Sequence, residues 1–157
     1  MIKPDRFDVI RTPQTCWSAA LDALRAAGER RLELMVYFAG TFTGAEGAVT
    51  RVIVPRQEQS VGGCAPELDE IERVSADIVR RREVLLWQLH SHPSAAFLSR
   101  TDRDWPVSRK TGWISAVAPS FGSGVTTVRD VRAFEYLGDD QWRELDGGER
   151  VARLVVS

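Results

Sequence analysis

Apolar residues recur along the chain in blocks whose period switches between helical and extended. From Thr12 to Gly28, Trp17, Ala20, Leu21, Leu24 and Ala27 fall at i, i+3, i+4 spacing behind Pro13, and Gly28 closes the run. That spacing predicts a helix. Leu32 to Phe42 is rich in aromatic and β-branched residues and reads as a strand. Turn residues at Thr43 to Gly47 lead into Ala48 to Arg56, the second strand of a hairpin, with Pro55 at its end. Gln57 to Ala65 is polar and reads as a loop. Pro66 to Arg82 reads as a helix with Leu68, Ile71, Val74, Ile78 and Val79 as its buried stripe. Arg80, Arg81 and Arg82 suit the negative end of its dipole.

Val84 to Leu89 is nearly all apolar, as a central strand covered on both faces would be. It runs directly into His90-Ser91-His92-Pro93. A short helix is expected near Ser99 to Asp102 and a further strand at Trp113 to Ala118. Val125 to Tyr136 and Gln141 to Leu145 read as a closing hairpin around Gly138-Asp139-Asp140, followed by an apolar tail, VARLVV. The order α-β-β-α-β-α-β-β-β predicts a mixed α/β (α+β) domain spanning residues 1–157, with hairpins in its sheet, and not a doubly wound parallel sheet.

Composition narrows the partners. The 157 residues are 43% hydrophobic, enough for one core of ordinary size. Twenty-one basic against 22 acidic residues leave a formal charge of −1, so neither nucleic acid nor an anionic membrane is an expected partner. No apolar run approaches the roughly 18 residues of a bilayer span, and the first residues, MIKPDRFDVIRTPQ, lack the apolar core of a secretory signal. A cytoplasmic location is expected. Cys16 and Cys64 are expected to be free thiols, with Cys64, in a Gly-Gly-Cys loop, the more exposed. Only Lys3 and Lys110 are lysines. Codon usage that favours arginine is the expected cause of that scarcity.

Both histidines of the chain stand two residues apart, at His90 and His92. On extended backbone, positions i and i+2 face the same way, so both imidazoles project together as half of a metal site. Ten residues after His92, Asp102 could reach back as a third ligand. The same residues have a plainer reading: His-x-His as coincidence, and Ser99 with Asp102 as a helix N-cap followed by a first-turn acid.

The joint order His90-Ser91-His92-Pro93, then Ser99, then Asp102 resembles the JAMM (JAB/MPN+) zinc metallopeptidases, of the prokaryotic type that deconjugates ubiquitin-like proteins. The resemblance covers about residues 31–145. It implies a single MPN-like domain with cytidine-deaminase-like layering and one Zn²⁺ with a bound water, held by His90, His92 and Asp102. It also implies a remote glutamate as general base, and Glu33, seven residues before Gly40, fits that place, with Glu29 and Glu46 as alternatives. Ser99 is implied as the donor to the oxyanion. The implied partners are the C-terminal tail of a ubiquitin-like protein and its conjugates, together with activating and conjugating enzymes of the same system. The Gln57 to Ala65 loop and the segment after Pro93 would form the groove for that tail. Val36 stands where many members have glycine, and one residue fewer separates His92 from Ser99. A hydrolase of small amides or of sulfur-carrier-protein adducts, and a non-catalytic scaffold of the same fold, are the alternatives.

Overall fold

In the computed structural model, which describes residues 2–157, the sheet is built outward from the two apolar runs. Strand β2 (Met35–Thr43) lies antiparallel to β6 (Val84–Ser91), with Met35 opposite His90. On one side of this pair, β2 joins β3 (Glu46–Ile53) as the expected hairpin. β3 then pairs in parallel with β1 (Val9–Thr12), which pairs in parallel with β10 (Leu154–Val156). On the other side, β6 runs parallel to β7 (Ile114–Ala118), followed by the antiparallel strands β8 (Arg132–Gly138) and β9 (Gln141–Glu144). The result is one mixed eight-stranded sheet, and the mixed α+β class read from the sequence holds.

Alternation along β2 sorts the core into two layers. Val36 and Phe38 pack with Trp17, Leu21 and Leu24 of helix α1 (Gln14–Glu29). Trp87 stacks on Phe38 at a centroid distance of 4.1 Å and on Trp17 at 6.2 Å. Met35, Tyr37 and Ala39 point the other way, onto Val74 and Ile78 of helix α2 (Leu68–Arg81).

Four readings from the sequence are corrected. The stripe assigned to α2 is only partly buried: Leu68 is 74% exposed and Val79 76%. The helix turns Glu70, Val74 and Ile78 inward instead, because Arg56 and Arg73 satisfy the Glu70 carboxylate and remove the cost of burying it. The polar stretch from Gln57 is not a loop but a second, two-stranded sheet, β4 (Gln57–Ser60) with β5 (Gly63–Pro66). The strand expected from Val125 begins only at Arg132, since the Asp130 carboxylate accepts from the backbone of Thr126 and Thr127 and holds a tight turn there. The tail holds helix α4 (Gly147–Arg153) before β10, while β1 precedes α1 in a stretch for which no strand is expected from the sequence.

Candidate metal centre

The register of β2 against β6 places the site. His90 is opposite Met35 and faces the α2 side of the sheet, at the carboxyl end of β6. His92 follows two residues later on the same side, and its backbone is fixed at both polar groups. Its N–H donates to the Ala118 carbonyl at 2.9 Å, and its carbonyl accepts from Phe121 N–H at 2.8 Å. The two imidazoles lie with centroids 5.1 Å apart, and Phe97 packs edge-on against His92 at 4.6 Å.

Asp102 arrives from helix α3 (Arg100–Asp104). Its Oδ2 lies 3.2 Å from His90 Nε2 and 3.4 Å from His92 Nε2. Despite that proximity, His90 Nε2 has no well-aligned hydrogen bond and is fully buried. Two donors each about 2.1 Å from a tetrahedral ion stand about 3.4 Å apart, so these two spacings are compatible with ligand atoms around a shared centre. Together the three residues form a cluster suited to a divalent metal ion. Burial would raise the Asp102 carboxyl, but the two imidazoles and Ser99 outweigh it and hold the group far below the usual range. It is therefore ionised, as a ligand must be.

Glu33, the residue placed by the resemblance, lies just before β2 and is buried beside this cluster. Burial pushes its carboxyl up to about 7, with His92 pulling it down and Asp102 pushing it up. The alternatives fall away: Glu29 ends α1 on the surface, and exposed Glu46 pairs with Arg11. Glu33 owes its place to the β4–β5 hairpin. Its N–H donates to the Ser60 carbonyl and its carbonyl accepts from Gln59 Nε2. The Gln57 side-chain amide bonds both the N–H and the carbonyl of Met35. Leu34 is tied in turn to Ser91, by backbone and by hydroxyl. Sequence reasoning missed Gln57, Gln59 and Ser91 as positioning groups. The alternating Gln-Glu-Gln-Ser of residues 57–60 was the available signal, but such polar residues rarely mark a strand.

Ser99 caps α3. Its hydroxyl accepts from Asp102 N–H at 3.1 Å, and Asp102 Oδ2 accepts from Ser99 N–H at 2.8 Å. The plainer reading of this pair, a helix N-cap followed by a first-turn acid, is realised, and the same carboxylate belongs to the cluster that could hold a metal. A cleft of about 220 Å³ gathers Glu33, Cys64, His92, Phe97, Ser99 and Asp102. Both segments expected to flank a substrate line it, through residues 62–64 and through Pro93, Ser94 and Phe97. Both cysteines are free. Both are half-buried, and burial, with Glu33 and Asp102 nearby, pushes the Cys64 thiol far above the ordinary value.

No protein-family model matches the chain. It is 27% identical over 152 residues, 94% of each sequence, to a protein of Sinorhizobium fredii named Probable metalloprotease y4jG. The solution structure of protein DSY2949 from Desulfitobacterium hafniense matches it with a TM-score of 0.65 at 19% identity, over 95% of this chain and 93% of that one. The second likeness is one of fold. The first, together with the His-His-Asp cluster, supports a metal-dependent hydrolase of peptidase type. No helix among the described residues is long and apolar enough to cross a membrane.

Proposed function

We propose that this protein is a zinc-dependent peptidase of the JAMM type that cuts after the C-terminal tail of a ubiquitin-like protein. The observation that carries the reading is the convergence of His90, His92 and Asp102 on one point, with a buried carboxylate, Glu33, in the same cleft. Two imidazoles and a carboxylate match the donor preferences of zinc and leave a fourth position open. Zinc bound there supplies Lewis acidity and lowers the pKa of a water to near neutral.

The protein's own groups do the rest. Glu33, poised near neutrality, accepts the proton of the attacking water and returns it to the leaving nitrogen. Ser99, at the mouth of the same cleft, donates its hydroxyl proton to the carbonyl oxygen as negative charge builds there. Neither cysteine forms a covalent intermediate.

An extended substrate is favoured by the ground around the cleft. β5 has one edge without a neighbouring strand among the described residues, and such an edge accepts an added strand. Past Ala65 and Pro66, the same strand borders a larger apolar groove of about 490 Å³, lined also by Tyr37, Val74 and the 79%-exposed Trp105. A small amide would need only the cleft, whereas a polypeptide tail uses both. A complete ligand set with a base beside it likewise argues against a silent scaffold.

The test is metal analysis of the purified protein, followed by cleavage of ubiquitin-like fusions. Wild type is expected to carry one zinc per chain. Glu33→Gln is expected to keep that zinc and to lose about 10²–10⁴-fold in turnover. Absence of stoichiometric metal, or unchanged turnover in Glu33→Gln, would sink the proposal.

A further inference from the structure

The two lysines of the chain, Lys3 and Lys110, are far apart in sequence but line one pocket of about 220 Å³. It sits at the opposite end of β6 from the histidines. Lys3 Nζ donates to the carbonyl of Leu85, the second residue of β6, about 17 Å of extended chain from His90. The N-terminal segment is held there by close packing. Gly112 has φ +85°, and a Cβ on it would come within 2.4 Å of the Asp5 carbonyl oxygen.

Charge in this pocket is unbalanced. Lys3 is half-buried, and the Leu85 carbonyl is its one recorded hydrogen-bond partner among the described residues. Arg109, next to Lys110, pairs with Asp140, but neither lysine joins an ion pair among the described residues. Burial, and then the neighbouring Lys110 ammonium, push Lys3 below the usual lysine value. Asp5 also lines the pocket and, like Lys110, is exposed, so one carboxylate stands against two ammonium groups. Phe7, Leu86 and Trp113 supply an apolar wall. Two ammonium groups, one half-buried and one exposed, neither in an ion pair among the described residues, thus outnumber the one carboxylate beside an apolar wall.

We propose that Lys3 and Lys110 form a binding site for a compact oxyanion, a carboxylate or a phosphate, remote from the metal centre. The anion bridges the two ammonium groups and lies against Phe7, Leu86 and Trp113. By joining the N-terminal segment to the start of β6 and to the 110–113 turn, it stabilises the folded chain alone.

Two-dimensional amide NMR of the full chain tests this, with inorganic phosphate and sodium butyrate titrated separately against sodium chloride at matched ionic strength. Saturable shifts confined to residues 3–7, 85–86 and 110–113 are expected with at least one of the two anions, and the stronger response identifies the class. Lys110→Met, at an exposed position, is expected to weaken binding about fivefold or more while leaving the remaining spectrum unchanged. Lys3→Met should do the same, and the Lys110 variant carries the test if Lys3→Met fails to fold. Shifts that never saturate, that match those with chloride, that centre on residues 90–102 alone, or that persist unchanged in Lys110→Met overturn the proposal.

Discussion

One oxygen of Asp102 serves two masters. Oδ2 accepts from the backbone of Ser99 at 2.8 Å and stands 3.2 Å and 3.4 Å from the two imidazole Nε2 atoms. Capping therefore fixes the carboxylate before any ion arrives. Asp102→Asn keeps an acceptor for Ser99 but removes the negative charge, so α3 should stay capped while zinc affinity falls at least about a hundredfold, read by chelator competition. Ser99→Ala should cost about 1 kcal/mol of metal-free stability in denaturant unfolding. A second buried carboxylate answers to pH. Arg73 and the backbone and side chain of Arg56 hold Glu70 down to about 2, from an ordinary 4.5. A lowered folded value means that its contribution is complete above pH 4.5 and is lost as pH falls toward about 2. Glu70→Gln should lower the melting temperature by several degrees near pH 6, and that deficit should narrow steadily near pH 3.

At the level of elements, legibility followed apolarity. β2 and β6 were evident because strands covered on both faces read as apolar runs, and they carry the histidines and the approach to Glu33. The β4–β5 hairpin was not evident, because QEQS and GCAP bury little and hold position by side-chain amides. The facing of α2 was misread for a related reason: periodicity ranks apolar residues, while Glu70 and its two arginines decided which side meets the sheet. The hairpin's role is measurable. Gln57→Ala removes the amide that bonds both polar groups of Met35. The Glu33 and Met35 amides should then exchange with solvent about tenfold faster or more, and turnover should drop while bound zinc is retained.

For the whole molecule, the class of fold and the residues of the candidate site were legible, while the strand order was not. His90, His92 and Asp102 are close in sequence, so spacing alone brought them together, and the family likeness added Glu33. Pairings such as β1 with β10 join residues with no local signal for each other. An ion at the centre would link β6 to α3, two elements otherwise joined by a stretch without regular structure. Because only the folded chain assembles those ligands, removing metal with a chelator should lower the unfolding free energy, by about 4 kcal/mol when free zinc had stood at a thousand times its dissociation constant. Restoring zinc should recover it.

Strand β1 lies between β3 and β10, with Ile10 opposite Leu154. This has a consequence for the order of events on the ribosome. Residue 10 leaves the exit tunnel early and can settle against β3 as soon as the first hairpin is made, but its other edge has no partner until residue 154 appears. Between the making of that hairpin and the appearance of residue 154, the nascent sheet shows an open row of backbone donors and acceptors, the kind of surface that recruits stray strands. Arg11, on that waiting strand, pairs with Glu46 of β3, on the side already covered. The edge that β10 covers thus stays open while every residue between the hairpin and β10 is being made.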